Sequence, residues 1–491
     1  MKYLVAISLI LIFIIFAYAA DGAPYLNVKG ILSLQSNFSD GKYSLEEIAE
    51  LSRRKNVKII IPSDDLLRRW EYGIKPLENL IKKRVEENSL LRIGIEKYLN
   101  RIKRLNGLFR DMVIVEAAAA APFYWWDGSP WKRNLSLNDW HREMLVVGLE
   151  NPQDYKGLPV VSNASLTPKN LKNISQIILP FLSILLGIFL IYKKITRKII
   201  FKDTVFIIPL LLYKRLGYLF VSIGIIFLWN NWYFPASSFD QYHGDRGLKP
   251  YQEFIDYVNA RGGLCFWLHP EGAEVGSVGH VATYTYKPAS ILRETYGYVG
   301  FPALQLVGEV NSAALAGNVW DEILLEYCRG RRKQPVWVVG ELGFQDKEKI
   351  DSVQTIFLLK ELSRRAVLNA LKKGKMYAKL DYKENSLNLE DFSIQDGDSK
   401  NSGFMGDEVN CSAAPFINVK GNFPGPAKIK VDLIRNGKII QSFEIDKSPF
   451  KIEFQDEFIE ANKKIYYRLY IESSSGAKII TNPIFVTNIR D

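Results

Sequence analysis

The first part of the chain shows two apolar runs separated by one capped, amphipathic segment. Residues 31–34 form an apolar strand, and Ser44 with Glu47 makes the S-x-x-E box that satisfies free backbone amides at a helix start. Residues 57–61 form a second apolar run, of the kind that is buried on both faces of a parallel sheet. The pattern predicts a strand, a helix and a second strand that ends at residues 63–65.

The stretch that follows, residues 63–110, is strongly charged and has a helical period, and it predicts helices packed against a sheet. Its candidate core positions are apolar side chains: Leu66, Leu67, Leu77, Leu80 and Ile81. Further apolar runs predict buried strands at 113–115, 145–147, 264–268 and 336–339. Residues 353–371 predict a long amphipathic helix that ends at Gly374, and the series of elements indicates an α/β fold.

From residue 387 onward, apolar and polar positions alternate with a period of two. Asn436-Gly437 lies between two such runs, residues 428–435 and 438–445, and it is a strong hairpin signal because both turn residues tolerate positive φ. Three further strands are predicted, at residues 450–454, 466–471 and 479–486. Residues 387–491 therefore predict a small all-β sandwich.

Two segments, residues 174–192 and 216–234, are apolar over a length that can span a bilayer. Residues 1–20 have the layout of a secretory signal or an uncleaved anchor. The loop between the two spans, residues 193–215, carries seven basic residues against one acid, Asp203. The positive-inside rule places such a loop in the cytoplasm.

This topology divides the chain into a first half at 21–173, a membrane hairpin at 174–234, a second half at 235–386 and the β module. The predicted location is the cell membrane, with both large parts on the extracytoplasmic side. The formal net charge is +11, and the basic loop accounts for more than half of it. Anionic lipid headgroups are therefore the expected partner of these basic side chains, and no nucleic-acid partner is expected.

The sequence offers few groups for common enzyme chemistry. It contains four histidines and three widely spaced cysteines, which give neither a disulfide framework nor a zinc site. It has no Gly-rich Lys loop, no Gly-x-Ser-x-Gly and no His-Glu-x-x-His. A pair of acids for glycoside hydrolysis stays open, because the separation of two carboxylates cannot be read from a sequence.

The opening unit resembles the polymerase and histidinol phosphatase (PHP) superfamily, through Ser39-Asp40-Gly41, the capped helix and the strand that ends in Ser63-Asp64-Asp65. In that family the first strand carries His-x-His, and the period of two sends both imidazoles toward one metal cluster. Ser33 and Gln35 occupy these two places here, and Ser63-Asp64 occupies the place of the family's Asp-His.

Later strands extend the resemblance. The strand at 264–268 ends in His269-Pro270-Glu271, where PHP proteins place a metal-binding histidine before proline; the alternative role of His269 is a hydrogen-bonding cap at the barrel mouth. Glu116 falls near the family's Gly-x-Glu ligand. His141 precedes the strand at 145–147, where Glu143 is the alternative match. Gly343 and Gln345 stand where the family tends to have Asp-x-His.

The resemblance implies a distorted (β/α)7 barrel, interrupted by the two-helix transmembrane hairpin and followed by the β-sandwich. The candidate metal ligands that remain are carboxylates and imidazoles, namely Asp40, Asp64, Asp65, Glu116, His141 and His269. Lost ligands are marked by Ser33, Gln35, Ser63, Gly343 and Gln345.

The resulting hypothesis is a membrane-tethered, extracytoplasmic pseudoenzyme that serves as a surface scaffold or ligand-binding module. It needs no cofactor, and its partner is a protein or a glycan at the cell surface. The alternative is a residual metal-dependent phosphoesterase that holds a divalent ion such as Mn, Zn, Fe or Mg.

Overall fold

A computed structural model describes residues 25–165, 171–193, 196–201, 204–209, 211–306, 310–343, 349–382, 386–397, 401–457 and 462–489. The predicted signal or anchor at residues 1–20 and the ligand-loss position Gln345 lie outside these described residues.

The part of the chain before the two long apolar helices is mostly short strands. They are β1 (Leu26–Leu32), β2 (Ile59–Ile61), β3 (Arg69–Gly73), β4 (Lys82–Glu86), β5 (Val113–Ile114), β6 (Ala117–Ala120), β7 (Trp125–Asp127), β8 (Ser136–Asn138), β9 (Met144–Val147) and β10 (Ala164–Ser165). The helices here are α1 (Leu45–Arg54), α2 (Leu90–Ile93), α3 (Ile95–Leu108) and α4 (Pro152–Lys156), with a 3-10 turn at Pro130–Lys132.

The capping box at the start of α1 is confirmed. The Glu47 amide donates to Ser44 Oγ at 3.3 Å, and the Ser44 amide donates to Glu47 Oε2 at 2.9 Å. The helix ends at Arg54, and Asn56 adopts a φ of 55°, a left-handed conformation that asparagine tolerates better than most residues. The chain then enters β2, so the predicted strand, helix and strand are all present.

The hairpin consists of α5 (Leu171–Tyr192), β11 (Thr196–Phe201), β12 (Thr204–Pro209), α6 (Leu211–Asn231) and β13 (Phe234–Pro235). At its base, β10 pairs with β13, and Ala164 lies opposite Pro235. Two stretches of the helices, Ile174–Tyr192 and Leu211–Asn231, are long and apolar enough to cross a membrane. α6 begins at Leu211, five residues before the apolar segment predicted at 216–234, and β11 pairs with β12 between the two helices.

The second half carries α7 (Lys249–Asn259), β14 (Leu264–Trp267), β15 (Gly272–Val278), β16 (Val281–Lys287), α8 (Ile291–Glu294), β17 (Gly300–Gln305), α9 (Val319–Cys328), β18 (Trp337–Glu341), β19 (Val353–Leu359), α10 (Arg364–Lys373) and β20 (Met376–Leu380). A 3-10 turn lies at Ser312–Ala314.

Two sheets enclose the first hydrophobic core. β1 is parallel to β2 and β2 to β5, while β18, β17, β14, β9 and β6 form the second sheet in that order. The Leu66 amide donates to Ala119 O at 2.7 Å, and the Leu342 amide donates to Leu32 O at 3.0 Å. These hydrogen bonds connect the two outer strands of the second sheet, β6 and β18, to the segments at and after β1 and β2.

The C-terminal strands are β21 (Asn388–Gln395), β22 (Ser402–Phe404), β23 (Glu408–Cys411), β24 (Phe416–Asn422), β25 (Ile429–Arg435), β26 (Lys438–Ile445), β27 (Phe450–Gln455), β28 (Lys464–Ser473), β29 (Lys478–Thr481) and β30 (Ile484–Asn488). The Asn436-Gly437 hairpin is confirmed, with φ values of 51° and 82°.

The C-terminal strands continue the sheet that contains β1, because β29 pairs with β20 and places Ile480 opposite Ala378. β22, β21, β24 and β27 form a separate sheet. A second hydrophobic core includes Ile356 and Leu358 of β19 together with Val431 and Leu469 from the C-terminal strands. The sheet is therefore continuous across the boundary predicted at residue 387.

Two predictions of secondary structure are wrong. Residues 353–359 are the strand β19, buried along its whole length, and the helix expected over 353–371 is confined to Arg364–Lys373. Within residues 63–110, β3 and β4 form an antiparallel hairpin where helix was expected, and Leu80 and Ile81 of its turn are exposed. Apolar periodicity alone does not separate a short buried strand from a buried helix segment.

Candidate functional site

Several strand ends meet at one edge of the two sheets, which we call the strand-end edge. β14, β17 and β18 are parallel, so His269, Gln305 and Glu341, at or just beyond their ends, lie together. β9 runs antiparallel to β14, and the carbonyl of Glu143 accepts from the Leu268 amide at 3.1 Å. Glu143 therefore lies at the same edge.

Glu341 is the centre of this cluster, and only 2% of its side chain is exposed. Ser33 Oγ donates to Glu341 Oε1 at 2.8 Å. His269 Nδ1 lies 3.1 Å from Oε2, and Gln305 Nε2 donates to Oε2 at 3.3 Å. Both oxygens of the carboxylate are thus engaged by side chains of this chain.

The ion pair between His269 and Glu341 shifts both pKa values. The Glu341 charge raises the pKa of His269 to about 9, in spite of burial, which acts in the opposite direction. Burial pushes the pKa of Glu341 upward, but the His269 charge and the hydrogen bonds from His269 and Ser33 outweigh it, so this pKa lies below its usual value. At neutral pH the pair is an imidazolium and a carboxylate.

Two residues of the cluster have a left-handed backbone without being glycine. Ser33 has a φ of 61° and His269 a φ of 42°, a region that costs roughly 1–2 kcal/mol for a residue with a Cβ. The Ser33 amide donates to Ile61 O at 3.1 Å, and the Gly343 amide donates to Ser33 O at 2.9 Å, so the neighbouring strand ends hold Ser33 in place. Such backbone strain is concentrated at functional sites in proteins.

Asp64 supports the turn after β1. Its carboxylate accepts from the Ser36 amide at 2.7 Å, from Ser36 Oγ at 2.9 Å and from Ser39 Oγ at 2.8 Å. Burial raises the pKa of Asp64, and these hydrogen bonds offset part of that effect. Ser63 is buried as well, and its amide donates to Leu34 O at 2.7 Å. Asp64 and Ser63 thus connect β1 to β2.

Asp65 faces a basic partner. Gln35 Nε2 donates to Asp65 Oδ2 at 3.2 Å, and Arg68 Nη1 lies 3.4 Å from the same oxygen. Arg68 also pairs with Asp40 and, at 2.7 Å, with Glu87. Burial, followed by the charge of Glu143, holds the pKa of Asp65 well above its usual value, and Arg68 only partly offsets this. The side chain of Asp65 is therefore held by an amide and a guanidinium of this chain.

Glu116 lies at the opposite ends of the strands, away from the strand-end edge. Its carbonyl accepts from the Gly148 amide, beyond the end of β9, whereas Glu143 precedes the start of β9. The Glu116 carboxylate pairs with Arg364 of α10 at 2.8 Å, and Arg364 also pairs with Glu150 at 2.6 Å. The register thus separates Glu116 from the strand-end edge.

His141 lies beside the β15–β16 hairpin. Its amide donates to Thr285 Oγ1 at 3.2 Å, and its Nδ1 is 3.7 Å from Glu274 Oε2. The buried Lys287 ammonium binds the other oxygen of Glu274 at 2.6 Å. The Lys287 charge acts on both His269 and Glu341, so this group borders the cluster.

These donors do not fit a divalent cation. A metal site needs several carboxylate or imidazole donors directed at one point. Within the part of the chain that the structure describes, no group of three or more His, Cys, Asp and Glu side chains is placed to hold an ion. The carboxylates of Glu341, Asp64 and Asp65 are instead bound by hydroxyl, amide and basic groups of the chain.

Several members of the cluster were missed from the sequence. Glu341 is the last residue of β18, two residues before Gly343, and a carboxylate at the end of a buried strand was the available signal. Gln305 is the last residue of β17. Arg68 and Lys287 gave no local signal, because their positions depend on a hairpin and a strand pairing that the sequence pattern did not predict.

No family model and no curated protein matches the chain. Among solved structures, it is similar to a two-domain protein from Bacteroides vulgatus that contains a predicted PHP-like metal-dependent phosphoesterase. The identity is 9% and the TM-score 0.35, over 91% of this chain and 90% of the other. A TM-score this low does not identify functional residues, so the site is inferred from the contacts within this chain.

Proposed function

We propose that the chain is a membrane-tethered, extracytoplasmic scaffold or ligand-binding module. Its two joined sheets form a PHP-like distorted barrel in which an internal charge network has replaced the metal centre. The network consists of Ser33, His269, Gln305 and Glu341, and its partner at the cell surface is a protein or a glycan.

The observation that carries this proposal is the engagement of Glu341. It is a buried acid at the strand-end edge, yet Ser33 holds one oxygen while His269 and Gln305 hold the other. A cation that approached Glu341 would compete with these partners and meet the positive charge of His269. Glu341 is 2% exposed and the His269 side chain 41%, so removing His269 would leave a buried carboxylate without its counter-charge, which is costly.

The membrane part of the proposal rests on the two apolar helices. The basic residues between them favour a cytoplasmic location for the hairpin turn, so both large parts of the chain lie on the other side. Anionic lipid headgroups are the partner of this basic segment.

Metal analysis of the full-length chain, purified in detergent after incubation with Mn²⁺, Zn²⁺ and Fe²⁺, tests the proposal. The expected result is well under one ion per chain and no turnover of a simple aryl phosphate. His269→Gln should leave both values unchanged, as should His280→Gln, a matched control at the exposed turn between β15 and β16.

The second candidate is the residual phosphoesterase, and it is favoured by the proximity of Glu143 to both Asp65 and His269. Stoichiometric Mn, Zn or Fe, lost in His269→Gln but kept in His280→Gln and accompanied by phosphate release, would establish this alternative and overturn the scaffold.

A further inference from the structure

The turn between β3 and β4 carries exposed apolar side chains on a firmly folded hairpin. Ile74, Leu80 and Ile81 are 41%, 39% and 51% exposed. The Ile74 amide donates to Ile81 O at 2.9 Å, and the Ile81 amide donates to Leu77 O at 2.8 Å. We call residues 74–81 the apolar tip.

The apolar tip is attached to the end of the second apolar helix. The Asn79 amide donates to Asn230 Oδ1 at 3.0 Å, and Asn79 Nδ2 donates to Asn230 O at 3.0 Å. The Leu80 amide donates to the same Asn230 Oδ1 at 3.3 Å. Asn230 is 3% exposed and lies one residue before the end of α6, so the tip and this helix end are at the same level.

The neighbours of Asn230 mark that level as a membrane interface. Trp229 and Trp232 are 72% and 62% exposed. Tryptophan is enriched where a bilayer meets water, because its ring is apolar and its N–H is polar. Tyr233 lies under the Lys82 ammonium, 4.6 Å from its ring centroid, and this contact gives the β3–β4 hairpin a second attachment beside the helix end.

Basic side chains surround the apolar tip. Lys75, Lys83 and Arg84 are exposed, and Glu78 is the one acid within residues 74–84. Lys82 and Arg84 pair with the buried Glu71 at 3.0 and 3.1 Å, so Glu71 offsets one of their two positive charges and the hairpin keeps a net positive charge. Exposed apolar groups bordered by lysine and arginine are the composition of segments that lie in the headgroup region.

We infer that the apolar tip inserts into the headgroup region of the bilayer that holds the hairpin, with anionic lipid phosphates bound by Lys75 and Lys83. The inference rests on the proposed function, because it requires α5 and α6 to span the membrane. It gives the extracytoplasmic part a second, shallow membrane contact beside the helices. That contact fixes the orientation of the extracytoplasmic part relative to the membrane surface.

Depth-dependent quenching tests the inference. The full-length chain carries Cys328→Ser and Ile81→Cys, and the new thiol at residue 81 is labelled with an environment-sensitive fluorophore. The labelled chain is placed in vesicles of phosphatidylcholine and phosphatidylglycerol. The quencher is a lipid spin-labelled near its headgroup. Matched variants place the label at Trp229→Cys, the helix-end reference, and at Asn88→Cys, at the base of the same hairpin. Unchanged thermal unfolding shows that each labelled chain is folded.

The expected result is quenching at residue 81 that is several-fold stronger than at residue 88 and similar to that at residue 229. It should weaken when Lys83→Glu is added or phosphatidylglycerol is omitted, while residue 229 stays unaffected. Quenching at 229 with residue 81 no different from residue 88 would overturn the tip inference and leave the proposed membrane hairpin intact. No quenching at 229 would overturn both.

Discussion

Ser33 and His269 act on the same buried carboxylate from opposite sides. The hydroxyl of Ser33 binds one oxygen of Glu341, and the imidazolium of His269 binds the other. Ser33 is thus a working hydrogen-bond donor to a buried carboxylate. This hydrogen bond offsets part of the cost of burying the Glu341 charge, which would otherwise be several kcal/mol.

Glu341→Gln should lower the free energy of unfolding by about 1–3 kcal/mol at pH 6, because Ser33 and His269 lose the charge that they bind. The folded-state pKa of His269, about 9, exceeds its unfolded value, so its contribution is complete below pH ~6.5 and is lost as the pH rises through about 9. The Glu341 contribution is present above pH ~4.3 and lost in acid, because its folded-state pKa is lowered.

The difference in stability between wild type and Glu341→Gln should therefore be largest between these limits and shrink above pH ~9. Urea denaturation of both chains at a series of pH values measures it. Glu453→Gln, at an exposed acid of β27 that pairs with the exposed Lys451, is the control and should change stability by well under 1 kcal/mol. An unchanged stability in Glu341→Gln would contradict the role of the network.

At the scale of elements, one buried ion pair joins α9 to the C-terminal strand β28. Arg468 Nε and Nη2 donate to Asp321 at 2.8 and 2.7 Å, and both residues are almost fully buried. Tyr466 OH donates to the same carboxylate at 2.7 Å, and the Arg468 guanidinium lies 4.6 Å from the Trp320 ring centroid. The pair connects two layers that the sequence pattern assigned to separate domains.

Asp321→Asn should destabilise the chain by about 3–5 kcal/mol, because it leaves the buried Arg468 without its counter-charge. Adding Arg468→Met should restore most of that loss, since no unpaired charge remains. Glu322→Gln, on the same helix but in a half-exposed pair with Arg293, should cost under ~1 kcal/mol. Thermal or urea unfolding measures all three, and a mild Asp321→Asn effect would show that the pair does not stabilise this joint.

The two apolar helices pack through glycine. A Cβ on Gly217 would lie 2.7 Å from Gly187 O, and a Cβ on Gly224 would lie 2.6 Å from Ile184 Cγ1. Ser183 Oγ donates to Phe220 O at 3.0 Å across the same interface. Small residues allow such close backbone contact between membrane helices.

Gly217→Leu should separate α5 from α6, since a larger side chain does not fit against Gly187. Amide hydrogen exchange in both helices, measured on the full chain in micelles, should become at least several-fold faster. Ile225→Leu, at a half-exposed position of the same helix, should leave exchange unchanged. Equal exchange in the two variants would contradict packing through Gly217.

Local signals predicted the elements that depend on neighbouring residues. The capping box at Ser44 and the Asn436-Gly437 turn required only adjacent positions, and both are present. β19 and the β3–β4 hairpin were read as helix, because their stability comes from strand partners far away in sequence. Glu341 was missed for a similar reason, because its partners are distant in sequence. Ser33 lies 308 residues away, and His269 follows a different strand, β14.

At the scale of the whole molecule, the sheet of β1 extends without a break into the C-terminal strands. Asn482 reinforces this continuity, since its Oδ1 accepts from the Val338 amide at 2.7 Å and its Nδ2 donates to Met376 O at 2.9 Å. Residues before and after the apolar hairpin also share one core. If both apolar helices span a membrane, the halves before and after them must therefore lie on the same side of it.

Protease treatment of intact cells tests this topology. Both halves should become accessible together, with cleavage at exposed sites before residue 165 and after residue 236, while the segment between Tyr192 and Leu211 stays protected until the membrane is permeabilised. Protection of one half and cleavage of the other would contradict a hairpin that returns to the side from which it entered.

A titration of His269 by NMR distinguishes an internal charge network from a metal centre. The chain has four histidines, so ¹³C-histidine labelling of the full-length protein gives few signals, and His269→Gln assigns the one of interest. We expect a pKa of about 9 for His269, which falls toward ~6.5 in Glu341→Gln, and a signal that does not move when Zn²⁺ is added at pH 7. A pKa near the ordinary histidine value, together with a Zn²⁺-induced shift at stoichiometric metal, would show a ligand of a metal centre and contradict the charge network.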